Sequence, residues 1–156
     1  MASKWNDDFL DLVDALNAAH VEYLVVGAFA LAAHGFPRAT GDIDFLVRPS
    51  EENAARIIRA LQAFGAPLAS AGVTAADFSR AGGVYQIGVV PRRIDLLTEA
   101  SGITFDEAMA SHVAREVDGR SVPFLGREAL LRNKRASGRP KDLADAAALE
   151  ALTPEG

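Results

Sequence analysis

Two aspartates, Asp42 and Asp44, stand one residue apart in the stretch Gly41-Asp42-Ile43-Asp44-Phe45-Leu46-Val47, which is otherwise apolar after its opening glycine. Alternate residues of a strand point to one face, so the two carboxylates project together while Ile43, Phe45 and Val47 project the other way. Such a pair repels itself, and burying either acid without a partner is costly or raises its pKa until it protonates. A divalent cation removes both penalties, and magnesium takes carboxylate oxygens together with water and substrate phosphates. Asp95, in Arg93-Ile94-Asp95-Leu96-Leu97, is a third acid set in a strand-like apolar pattern able to lie beside the first. Three carboxylates converging on one edge would hold two metal ions about 4 Å apart, the clamp for in-line displacement at phosphorus. With twelve aspartates in 156 residues, about one Asp-x-Asp pair is expected by chance. Two solvated acids at a strand start are therefore the plainer alternative for that pair taken alone.

Other residues fit phosphate chemistry. Val25-Val26-Gly27-Ala28 runs from a strand into a helix start, where free backbone N–H groups favour an anion and Gly27 lets it approach the main chain. Arg38 and Thr40, just before the acidic pair, are within reach of phosphate oxygens or form an ordinary polar turn after Pro37. From Arg127 to Lys141 there are six basic residues and one acid, Glu128. Within that segment Lys134, Arg139 and Lys141 suit a triphosphate or departing pyrophosphate. The competing reading is helix capping: Lys134 and Arg135 end one helix, and Asp142 and Asp145 begin the next, where each sign suits the dipole. His34 reads as a helix-end residue, and Phe29, Leu31, Phe36 and Phe45 as core.

The elements that must position these groups are legible from periodicity. Phe9, Leu12, Val13 and Leu16 recur at helical spacing behind Asn6 as cap. Val21–Val26 reads as a strand ended by Gly27, followed by a short small-residue helix closed at Gly35. Asp42–Val47 is a second strand, and Ser50-Glu51-Glu52 opens a helix burying Ile57, Ile58, Leu61 and Phe64. Residues 65–83, rich in Ala, Ser and Gly, carry little signal. Val84–Val89 and Arg93–Leu97 read as a hairpin around Val90-Pro91-Arg92. A second hairpin joins Val113–Val117 to Arg120–Phe124 through Asp118-Gly119. Two helices follow, broken at Gly138 and restarted at Pro140. The alternation predicts one α/β layer structure over residues 1–156 with a helical C-terminal end.

Composition narrows the classes. The length suits one core burying roughly two-thirds of the unfolded surface. The absence of cysteine removes disulfides, thiolate zinc sites and cysteine nucleophiles, and fits a reducing cytoplasm. Three scattered histidines, His20, His34 and His112, do not form a metal site. The apolar run Tyr23–Ala33 falls short of the about 20 residues that span a bilayer, and the first residues lack a signal-peptide core. A cytoplasmic protein with no membrane partner is expected. A net charge of −5 argues against wrapping nucleic acid by bulk electrostatics.

The order Gly27-Ala28, Asp42-Ile43-Asp44, then Asp95 on a later strand resembles the polymerase β-type nucleotidyltransferase superfamily. The strings from Val26 to Gly35, Arg38 to Val47 and Asn133 to Asp145 are similar to small bacterial nucleotidyltransferases, including AbiEii-type toxins of toxin–antitoxin systems. The resemblance implies a mixed β-sheet with flanking helices and Mg²⁺ on Asp42, Asp44 and Asp95. It implies transfer of a nucleoside monophosphate from an NTP to a hydroxyl of RNA, tRNA or protein, with Asp95 helping to deprotonate that hydroxyl. A cognate antitoxin would be a partner under the toxin reading. One departure is Ala28, where such proteins often carry Ser or Gly; the missing hydroxyl removes one bond to phosphate and leaves the backbone donors. That departure keeps a second reading open, a catalytically silent nucleotide-binding or interaction module of the same fold. A third reading treats the acids as surface charge.

Overall fold

The computed structural model describes residues 5–36, 41–89 and 92–152. Helix α1 (Asp7–Ala18) starts where the Asn6 side chain accepts the Phe9 N–H at 2.9 Å, and it buries Phe9, Leu12, Val13 and Leu16. The chain leaves it through His20 at φ +58°, and the Val21 N–H donates back to the Leu16 carbonyl at 3.0 Å. That bond commits the Val21 amide to the helix end. Strand β1 therefore begins at Tyr23, two residues later than its β-branched run suggests, and spans Tyr23–Val26.

Strand β1 passes without a loop into α2 (Gly27–Ala33), with His34 at its C-terminal end. Strand β2 (Ile43–Val47) returns antiparallel to β1. Helix α3 (Glu51–Phe64) is capped by the Ser50 hydroxyl, which accepts the Asn53 N–H, and ends at Gly65 in the left-handed region. The weakly patterned stretch after it holds a single helical turn, α4 (Leu68–Ala71), and a 3₁₀ turn, Ala75–Phe78, that anchors itself by burying Phe78. Strands β3 (Val84–Ile87) and β4 (Ile94–Leu97) pair antiparallel as expected; Val90 and Pro91 lie outside the described residues.

Helix α5 (Phe105–Ala110) opens with a reciprocal Thr104–Glu107 capping box. Strands β5 (Val113–Val117) and β6 (Arg120–Phe124) form the expected hairpin, with Asp118 at φ +48° and Gly119 at φ +83°. Helix α6 (Arg127–Ser137) stops at Gly138, φ +70°, and α7 (Pro140–Ala151) starts on a proline whose missing N–H does no harm.

The six strands make one mixed sheet in the order β3-β4-β2-β1-β6-β5. The pairs β2–β4 and β1–β6 are parallel and the others antiparallel. All four residues of β1 are buried, and in β2 every residue except Asp44 is, as befits central strands covered on both faces. Helices α1 and α3 pack together, α2 lies on β1 and β2, and α6 packs on α7. Trp5, Phe9, Phe29 and Phe124 meet edge to face, joining α1, α2 and β6. No helix among the described residues is long and apolar enough to cross a membrane.

Candidate active site

The register of the central strands assembles the acidic edge. Asp44 on β2 stands opposite Val26 at the end of β1 and beside Asp95 on the parallel strand β4. Asp42, two residues earlier, turns its Oδ1 to accept the main-chain N–H of Arg93 at 2.9 Å. The three aspartates singled out from the sequence thus lie at one end of two adjacent strands, β2 and β4, beside the end of β1.

Gly27 is required here for a reason other than phosphate approach. Its φ is +69°, and a Cβ built on it would lie 2.3 Å from Asp44 Oδ2. The carboxylate occupies the space a side chain would fill. Gly27→Ala should therefore cost at least about 2 kcal/mol from strain and collision together. Gly72 has nearly the same backbone, φ +67°, and nothing within 4 Å. In urea denaturation, Gly72→Ala should cost clearly less than Gly27→Ala, and equal costs would mean that the Asp44 contact is immaterial.

A residue to which the sequence reading gave no role completes the edge. The Arg93 guanidinium grips Asp95 with two bonds, Nε to Oδ1 at 2.8 Å and Nη2 to Oδ2 at 3.2 Å. Its Nη2 also lies 3.8 Å from Asp42 Oδ2. The available signal was the spacing, since Arg93 and Asp95 are two apart and share a strand face. Burial pushes the Asp44 carboxyl up to about 7; the hydrogen bond and charge of Asp95 add to this, and Arg93 opposes it. Bonding to Asp95 in turn raises the Arg93 guanidinium.

The opposite wall comes from α6 and α7. Lys134 is buried, its ammonium 3.4 Å from Asp142 Oδ1 and 3.2 Å from Asp145 Oδ2. Asp142 accepts from Arg139 Nε at 2.6 Å and from the Ser137 hydroxyl. Burial would raise the Asp142 carboxyl, but these bonds and the Lys134 charge prevail and hold it down at about 2. Asp142 and Asp145, read from the sequence as helix-start residues, are therefore the buried counter-charges of Lys134. Arg139 and Lys141 are exposed.

Between the walls lies an open cleft of about 750 Å³. Eight of the residues given a site role from the sequence line it, namely Gly27, Ala28, Asp42, Asp44, Asp95, Lys134, Arg139 and Lys141. Arg38 and Thr40 lie outside the described residues. Phe36, read as core, is half-buried and also faces the cleft, as does Leu97. Among the described residues no three acidic or histidine side chains are gathered into a group that could hold a metal ion. The Arg93 guanidinium lies against Asp95 and approaches Asp42. An all-oxygen donor set that already attracts a cation fits the chemistry of a hard divalent ion.

No protein-family model and no curated protein matches the chain. Solved structures do. One is a Thermotoga maritima protein, TM1012, described as a candidate nucleotidyltransferase; it is 17% identical with a TM-score of 0.57, over 95% of this chain and 94% of that one. A second is the antibiotic-resistance factor ANT(2'')-Ia, 14% identical with a TM-score of 0.56, over 91% and 80% of the two chains. A third is the lincosamide antibiotic adenylyltransferase LnuA, solved with lincomycin, 14% identical with a TM-score of 0.54, over 97% and 99%. With a mixed sheet that puts three aspartates at one end of its central strands, this chain has the nucleotidyltransferase fold.

Proposed function

We propose that the protein is a Mg²⁺-dependent nucleotidyltransferase that moves a nucleoside monophosphate from an NTP to an acceptor hydroxyl, with residues 1–156 acting as one domain. The observation that carries this reading is the juxtaposition of Asp44 and Asp95 in register, with Asp42 on the same edge, across a cleft from Lys134, Arg139 and Lys141. Acidic groups on one side and basic groups on the other suit a polyphosphate and the cation that accompanies it.

Asp42, Asp44 and Asp95 would hold the ion, which would supply charge neutralisation to the phosphates and the attacking oxygen. The acceptor oxygen bonds to the α-phosphorus, the bond to the β-phosphate oxygen breaks, and pyrophosphate leaves. The acceptor proton passes to Asp95 and then to water. Arg139 and Lys141, both exposed at the cleft, receive the phosphates. Gly27 and Ala28 border them with main chain, and Arg38 and Thr40 supply further hydrogen bonds. Lys134 orders this wall from its place between Asp142 and Asp145 and contributes positive potential. The resemblance to AbiEii-type toxins supports an RNA or protein hydroxyl as acceptor, a toxin role and a cognate antitoxin.

The test incubates the purified protein with each α-labelled NTP, Mg²⁺ and a bacterial extract, beside Asp44→Ala. A labelled RNA or protein band is expected from the wild type alone. A second reading, the silent nucleotide-binding module, is favoured by Ala28 and by the guanidinium lodged among the acids. It predicts no band while Mg²⁺ and NTP together still raise the melting temperature of the wild type and not of Asp42→Ala.

A further inference from the structure

Arg93 holds two of the three acids in two chemically distinct ways. Its main-chain N–H donates to Asp42 Oδ1 at 2.9 Å, while its guanidinium takes both oxygens of Asp95 at 2.8 and 3.2 Å and reaches to 3.8 Å from Asp42 Oδ2. A planar fork on a carboxylate is the strongest pairing an arginine makes. The fork takes one lone pair on each Asp95 oxygen, so an ion drawn to the same oxygens would meet fewer free lone pairs and the positive charge of the guanidinium.

The environment gives the guanidinium a reason to be there and a way out. Asp42, Asp44 and Asp95 lie together at the ends of adjacent strands, and without a cation their mutual repulsion goes uncompensated. The Arg93 side chain is 30% exposed while that of Asp95 is 10% exposed, and Arg93 lines the cleft. Rotation of its side chain therefore moves the charge into the cleft without opening the core. The main-chain bond to Asp42 is untouched by that movement.

We propose that Arg93 is the resident counter-cation of this edge, a positioning residue that holds the carboxylates in register until a divalent ion displaces its guanidinium into the cleft. This rests on the reading of Asp42, Asp44 and Asp95 as metal ligands. It makes the affinity for the ion a competition that the chain itself sets.

Calorimetric titration of Mn²⁺ into the nucleotide-free, full-length protein tests it, comparing wild type with Arg93→Gln, Arg93→Lys and the double variant Arg93→Gln/Asp44→Asn. Removing a charge-assisted bidentate competitor corresponds to about tenfold tighter binding. Arg93→Gln is expected to bind Mn²⁺ about tenfold more tightly than wild type, and Arg93→Lys, which keeps the charge but not the fork, to fall between. The double variant should lose the gain, which places the ion at this edge. A purely structural Arg93 would instead give equal or weaker binding in both single variants, which overturns the proposal while leaving the metal reading intact. Binding in none of the proteins overturns both. Should Arg93→Gln fail to fold without metal, Arg93→Lys against wild type decides alone, and equal affinities sink the idea.

Discussion

Replacing Asp44 by Asn is expected to abolish the proposed transfer and at the same time to raise the melting temperature of the metal-free protein at pH 8. The loss of rate should be about 10³-fold or more, since one of the three carboxylates assigned to the ion in the proposed mechanism is removed. The gain in stability follows from the raised carboxyl. In the folded chain Asp44 titrates near 7, against 3.8 for an unperturbed aspartate, chiefly through burial and then through Asp95. Between those values the unfolded chain gives up the proton and the folded chain keeps it, so the native state binds more protons and stability falls as pH rises. Below about 4 the group contributes nothing, and above about 7 its penalty is complete. Asparagine removes a penalty on the order of 1–3 kcal/mol, worth about 2–4 °C per kcal/mol in a chain of this size. Melting curves from pH 4 to 8 should show wild type losing ground to Asp44→Asn as pH rises. An inactive variant with an unchanged pH profile would mean that Asp44 is not buried among like charges.

Lys134→Ala is expected to have the largest effect on stability. The ammonium is shared by Asp142 and Asp145, each 2% exposed, and its removal takes a cationic partner from two buried carboxylates at once. Breaking a buried pair from one side costs about 3–5 kcal/mol, because the remaining charge is stranded away from water. The variant should melt roughly 10 °C lower by the same size scaling. Adding Asp145→Asn should recover part of the loss, since one of the two buried charges that Lys134 pairs is then removed with it. The acid limb gives a second check. Asp142 titrates at about 2 in the folded chain, so its contribution is fully present above about 4 and disappears as pH falls toward 2. Lys134→Ala should flatten that limb. A loss below about 1 kcal/mol would place Lys134 among ordinary surface pairs.

The elements that position the site were legible because each carries a local signal. The Asp118-Gly119 turn, the Gly138 stop and the Ser50 cap all act through one or two residues, and each is found where its chemistry requires. The pairing of Asp42 with Asp44 was legible for a related reason, as strand periodicity sets the two on one face. What was not legible depends on register between strands distant in sequence. Nothing in the string says that β4 lies parallel to β2 with Asp95 level with Asp44, nor that Gly27 must vacate the space that Asp44 Oδ2 fills. Arg93 escaped in part for the same reason: Asp95 stands only two residues on, but the approach to Asp42 depends on that register. Lys134 was undecided between anion site and helix end because both readings use the same residues; the structure adds that it is buried with Asp142 and Asp145 while lining the cleft. The stretch from Gly65 to Gly83 remained faint because only Phe78 anchors its 3₁₀ turn in the core.

The most direct test of the central claim asks which phosphorus the acceptor keeps. Parallel reactions with α-labelled and γ-labelled NTP, Mg²⁺ and a bacterial extract are run with wild type and Asp44→Asn, and labelled macromolecules are separated from free pyrophosphate. The account predicts α label on the acceptor, γ label in pyrophosphate, and neither with Asp44→Asn. Label from the γ position on the acceptor, or α transfer that survives Asp44→Asn, would contradict it.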